Sequence, residues 1–194
     1  MLLNLFLNNV WLAIGLWASL YLVDYIFTLK AARMYQAGVN KHLTFSGGIE
    51  LNPVFRDDIR GLRLFSFRFW LLMLFVGGLL LILHSLDLPE VFSFVWGMFV
   101  CIQIAIHLRH IRNLAVFYHA RDSKGMSGRI EYQHWLSLRL SSIELFSFSM
   151  LFLFLYLFSG TFFMLGGAAG CLSLALRHLF DSFKEEKMLS RAEA

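Results

Sequence analysis

Charge is scarce in this 194-residue chain: Asp, Glu, Lys and Arg make up 15% of it. Ordinary soluble domains carry about 25%. Cysteine is scarcer still, represented by Cys101 and Cys171. Both fall inside apolar runs, where they build no disulfide framework and read as packing residues. The chain has no P-loop, no Rossmann glycine pattern and no Gly-x-Ser-x-Gly elbow, the usual signatures of nucleotide binding and serine hydrolysis. Tandem repeats and low-complexity linkers are also missing, which leaves one domain over residues 1–194. Together these absences exclude a soluble enzyme, a disordered tail and a disulfide scaffold.

Hydrophobic residues are abundant, at 58% of the chain, and gather into runs long enough to cross about 30 Å of hydrocarbon. Five such runs stand out, at Asn4–Leu29, Phe69–Leu86, Val91–Leu108, Trp135–Phe158 and Thr161–Leu176. They are continuously apolar rather than alternating, so helices and not barrel strands satisfy their backbones. The fold class expected is an all-α polytopic membrane protein with five spans. No basic segment precedes the first run and no small-residue cleavage site follows it, so no signal peptide is expected to be removed.

The 17 Lys and Arg residues fix the expected orientation. They fall in the connections 30–68 and 109–134, in the tail 177–194, or at the helix ends beside them. The short corners at 87–90 and 159–160 hold none. The positive-inside rule then places the basic side in the cytoplasm, with the N-terminus outside and the C-terminus inside. The net charge of +4 follows from this asymmetry and does not indicate nucleic-acid binding. A basic inner face attracts anionic lipid heads.

The first connection is patterned. The first helix is expected to run on from Lys30 to Ala37 and stop at Gly38. Ser46-Gly47-Gly48 marks a turn, and Asn52-Pro53 has the form of an N-cap followed by proline at the first helical position. A short amphipathic helix with Phe55, Ile59 and Leu62 on one face should follow at the inner interface, with Asp57 and Asp58 near its positive end. Capping does not account for Glu50. In the second long connection, Ser123-Lys124-Gly125-Met126-Ser127-Gly128 reads as a flexible turn.

Three of the spans carry a polar stripe at the same depth. Tyr21, Asp24, Tyr25 and Thr28 recur at i, i+3, i+4, i+7 on the first. Gln103, His107 and His110 fall within about 60° of arc on the third, and Glu131, His134, Ser137, Ser141 and Glu144 within about 140° on the fourth. A charged side chain facing lipid near the midplane costs about 2.5–3.5 kcal/mol. Turning the stripes toward one another reduces that cost and predicts a polar pocket open on the basic side. Arg139 is poorly aligned with Glu144, so a partner for the acid is expected from His107, Thr28 or a tyrosine of the first span. Intramembrane acids are functional by default, which singles out Asp24 and Glu144. Glu144 and His134 are the expected proton-transfer groups, with Asp24 beside them. Arg60, Arg63, Arg109 and Arg112 are placed to hold an anion at the rim. A metal held by His107, His110, Glu131 and His134 is a weaker alternative, and no cofactor is indicated.

Asp24-x-x-x-Thr28 followed by Glu50-Leu-Asn-Pro53 resembles a pattern in small uncharacterised prokaryotic multi-pass membrane proteins, a family defined as a domain of unknown function. The resemblance covers residues 24–53. It implies a bacterial or archaeal inner membrane and suggests one site containing both Asp24 and Glu50.

The halves of the spans away from the basic side are nearly free of ionisable groups, which ranks one-sided chemistry above transport. The expected function is binding of, or action on, an amphipathic substrate: a lipid head group, a polyprenyl phosphate or a quinone. A proton-coupled channel or transporter and a non-catalytic subunit of a membrane complex are the alternatives. Membrane lipids are the expected partners. Gly166-x-x-x-Gly170 leaves a homo-oligomer open, since close packing inside the bundle explains it equally well.

Overall fold

The computed structural model describes residues 2–46, 48, 50–122 and 128–192. Gly47 and residues 123–127, which carry parts of the two expected turns, lie outside the described residues. The helices are α1 (Leu2–Asn8), α2 (Val10–Gln36), α3 (Arg56–Arg60), α4 (Phe67–Ser85), α5 (Pro89–Arg121), α6 (His134–Ser159) and α7 (Phe162–Ala192). Five of them, α2, α4, α5, α6 and α7, are long and apolar enough to cross a membrane. The chain is therefore an all-α multi-pass membrane protein.

Local chemistry explains the helix limits. Asn9 interrupts the first expected span because its side chain accepts from the Trp11 and Leu12 amides at 3.2 and 3.3 Å, capping α2. Ser66 caps α4 in the same way. Pro89 opens α5, where the amide it lacks has no helical partner. Gly160, at φ 61°, ends α6 in the left-handed region. After α2 ends, Gly38 takes φ 145°, as its position in the sequence suggests.

Two helices run much further than their spans. The third continues past Leu108 to Arg121 and the fifth past Leu176 to Ala192. Charge marks where apolar cover ends, not where a helix ends, and neither extension contains Gly or Pro to stop it. At 33 residues, α5 is about 50 Å long and outreaches the hydrocarbon core.

The short helix after Pro53 also differs from expectation. It begins at Arg56 behind Phe55 rather than behind Asn52. Asn52 instead closes a turn, accepting from the Val54 amide at 3.1 Å. Asp58 in this helix is buried; it accepts from Ser66 Oγ at 2.6 Å and Arg63 Nη1 at 3.1 Å. Tyr25 Oη donates to the Arg63 carbonyl at 2.7 Å, so α3 is fastened to both α2 and α4.

Packing centres on α5. Helices α2 and α4 lie against one side of it and α7 against another, with α6 on α7. The α5–α7 seam is made of small residues. A Cβ added at Gly166 would stand 2.7 Å from the Phe94 carbonyl carbon and closer still to its oxygen; Gly97 faces the Phe163 backbone as tightly. The Gly166–Gly170 pair is thus used within the bundle. Ser142 and Ser149 fasten α6 to α7 by donating to the carbonyls of Ala175 and Ala168 at 2.7 and 2.8 Å. One apolar core joins α2, α4 and α5 around Trp17, Leu80, Phe92 and Trp96, and a second joins α5, α6 and α7 around Cys101, Leu145 and Cys171. Both cysteines are buried and free.

Beyond the basic ends of the spans, the two long connections meet in a parallel pair that the sequence pattern did not suggest: β1 (Leu43–Phe45) beside β2 (Ile130–Tyr132), with Leu43 opposite Ile130. Val39, Leu43, Phe45, Phe117 and Tyr132 form a small core of their own beneath it.

Candidate functional site

The polar stripes of α2, α5 and α6 converge on a cavity of about 800 Å³ at the basic end. Tyr21, Asp24, Tyr25, Thr28, Glu50, Gln103, His110, Ser137, Ser141 and Glu144 all line it, as do Arg109 and Arg112. The 3.6-residue repeat brings one face of each helix inward, as the insertion cost requires.

At its centre, His110 Nε2 lies 2.7 Å from Asp24 Oδ1 and 3.3 Å from Thr28 Oγ1. Thr28 itself donates to the Asp24 carbonyl, fixing its rotamer. Across the cavity, Arg112 Nη1 donates to Glu144 Oε1 at 3.0 Å. The partner of Glu144 is therefore Arg112 on α5, and not His107, Thr28 or a tyrosine. Arg109 is turned inside rather than standing at a rim; Nη1 donates to Ser141 Oγ, to which His178 Nδ1 is also hydrogen-bonded at 2.9 Å. Tyr21 Oη and Gln103 Oε1 are buried in the wall without a hydrogen-bond partner among the described residues.

Five of the expected residues lie elsewhere. His107, one turn below His110, is rotated onto Phe27; its Nδ1 is 2.6 Å from the Gln103 carbonyl. Glu131 is exposed in β2 instead of opening α6. His134 is at the start of α6, facing away from the cavity toward Arg56 at 3.2 Å and Glu185 at 3.5 Å. It is not among the residues that line the cavity, where His110 is. Arg63 is spent on Asp58, and Arg60 is exposed beside Gln36. Among the described residues no three His, Cys, Asp or Glu side chains come together to hold a metal ion, so the His107, His110, Glu131, His134 set is not assembled.

The structure adds Arg177, His178 and Asp181, which also line the cavity. They sit past the expected end of the fifth span. Their signal was present in the i, i+1, i+4 spacing, and reading residue 177 as the start of a tail concealed it.

Glu50 reaches the cavity from the loop before α3, where its Oε1 accepts from the Asn52 amide at 2.7 Å. Burial pushes its carboxyl above the ordinary glutamate range and Asp24 adds to the rise, while the Asn52 amide, Arg109 and His110 oppose it. The folded protein therefore holds this proton more tightly than the unfolded chain does. Stability should fall as pH climbs from the ordinary glutamate pKa through the raised one. Glu50→Gln keeps an oxygen for Asn52 and cannot ionise. Melting temperatures from mildly acidic to neutral pH should show a shallower decline in this variant than in wild type.

No family model matches the chain, and neither a curated protein nor a solved structure matches it.

Proposed function

We propose that this is an inner-membrane protein of a bacterium or archaeon, with its basic end in the cytoplasm, whose cavity binds or acts on an amphipathic molecule. Candidate heads are those of a lipid, a polyprenyl phosphate or a quinone. The observation that carries the reading is the presence within one cavity of two polar pairs, the Asp24–His110 hydrogen bond and the Glu144–Arg112 ion pair, with apolar walls from Phe69, Leu72, Leu140 and Ile143. Such a site suits a ligand with a polar end and a chain. Asp24 and Glu50 line it together, in keeping with the resemblance over residues 24–53. The 17 basic residues support the orientation through the positive-inside rule.

One-sidedness favours this reading over a transport path. The cavity is lined from the basic half of each helix, while Trp17, Leu80, Phe92 and Trp96 fill the space toward the opposite end. If the protein acts chemically, His110 held by Asp24 is the general base best placed for it. Native mass spectrometry of the full chain, purified in a mild detergent without added lipid, tests the reading. One retained amphiphile per chain is expected. A bare chain that also takes up none of a panel of lipids and quinones overturns it.

A further inference from the structure

We propose that the occupant of this cavity is a lipid bearing a phosphate-type anionic head, seated on Arg109, and that it enters sideways between α4 and α6. This rests on the amphiphile reading above and narrows it to one class of head and one route.

The head follows from which charges in the cavity are already answered. Asp24 is paired with His110 at 2.7 Å, Glu144 with Arg112 at 3.0 Å, and Asp181 with Arg177 at 3.9 Å. Glu50 accepts from a backbone amide. Among the described residues, Arg109 has no carboxylate at ion-pair distance, and its hydrogen-bonded contact is the neutral Ser141 hydroxyl. A guanidinium carries five N–H donors in a planar fork suited to phosphate or carboxylate oxygens, and it stays charged at any physiological pH. Glu144, Glu50 and Asp24 act on this charge only from beyond ion-pair distance, and a neutral quinone carbonyl brings no anionic oxygen to the fork.

A second observation is independent of Arg109. Tyr21 and Gln103 are each 7% exposed, and among the described residues the Tyr21 hydroxyl and Gln103 Oε1 in the cavity wall have no partner. Buried polar atoms left unbonded keep the full cost of their lost hydration. A head with phosphate oxygens and a hydroxyl supplies what both lack: an acceptor for the tyrosine and a donor for the amide oxygen.

The route follows from what is closed. The aromatic core closes the end away from the basic side, and the β1–β2 pair with Leu43, Phe117 and Tyr132 borders the basic end, where the lining residues Arg112, Arg177 and Asp181 are exposed. Helix α4 packs on α2 and α5, and α6 on α7; α6 forms no packed seam with α2, α4 or α5 among the described residues, and beside α4 the lining on both sides is exposed and apolar. Apolar side chains flank this gap beside the Glu144–Arg112 pair. Leu72 on α4 and Leu140 and Ile143 on α6 line the cavity and yet are 39%, 48% and 59% exposed. An apolar mouth on the bilayer-facing side admits an acyl chain, while the exposed Arg112 and Arg177 face the water side of the same cavity.

The test uses the full chain in nanodiscs and native mass spectrometry, with phosphatidylglycerol, diacylglycerol and inorganic phosphate as probes. Phosphatidylglycerol should be retained and diacylglycerol should not. Arg109→Gln should weaken phosphatidylglycerol retention at least tenfold. Ile143→Trp, a change at an exposed position that narrows the mouth, should do likewise while leaving the melting temperature near wild type. It keeps the proposal testable if Arg109→Gln fails to fold. Equal retention of diacylglycerol, with no effect of either variant, overturns the proposal while leaving an amphiphile site standing. Inorganic phosphate binding as tightly as the lipid overturns the lateral lipid route. A wild-type chain that retains no amphiphile of any kind defeats the broader reading as well.

Discussion

Gly166→Val should cost most of the folded yield, while Gly78→Val in α4 should be tolerated. At Gly166 an added Cβ runs into the Phe94 carbonyl, and at Gly78 it meets open space within 4 Å. Overpacking usually costs about 1–3 kcal/mol, and more when the obstructing atoms are backbone rather than a side chain able to swing aside. Valine at Gly166 belongs at the upper end or beyond, because α5 and α7 must separate to admit it. Thermal unfolding followed by size-exclusion chromatography of the detergent-solubilised protein measures the difference. Equal melting temperatures for the two variants would mean that α5 and α7 are not in backbone contact. The seam also sets the spacing of Arg109 from His178 and Ser141. Any variant of it that does fold should bind its ligand poorly.

Breaking the contact between Asp24 and His110 should have the second largest effect. The two side chains are 19% and 14% exposed and 2.7 Å apart, dry enough for the interaction to exceed a surface ion pair. A hydrogen bond to a charged group contributes about 1.5–3 kcal/mol. Asp24→Ala, His110→Ala and the double variant form a thermodynamic cycle in which a coupling energy of that size is expected. Additive losses would show that the two groups do not depend on each other. The same single variants should release a co-purified amphiphile, since each unbalances the charge beside Arg109.

The sequence stripes carried much of the site because they rest on helical periodicity, which the bundle preserves. Asp24, Gln103, His110, Ser141 and Glu144 face one another because no cheaper arrangement of those side chains exists in an apolar solvent. Periodicity is too coarse to divide neighbours within a stripe. His107 and His110 are about 60° apart on α5, and the cavity edge falls between them. Glu144 found its counter-charge in Arg112, a residue expected to hold an anion at the rim. Glu131 and His134 were misplaced because a three-residue strand has no period to read. The pairing of Leu43 with Ile130 depends on contacts between distant parts of the chain. The bounds of α5 and α7 were missed for a different reason: hydropathy reports the solvent around a helix, whereas Gly, Pro and capping residues report where it stops.

Parallel strands need a long crossover between them, and here the crossover contains α3, α4 and α5. During synthesis β1 therefore waits for Tyr132 to leave the ribosome before it has anything to pair with. By then three of the five long helices have been made, and α6 and α7 have not. The lid of the chamber is in this sense assembled late and from pieces made at different times. A nascent chain halted before β2 leaves the edge of β1 unpaired and Phe45 without the Tyr132 ring stacked on it, a state for quality-control proteases to recognise.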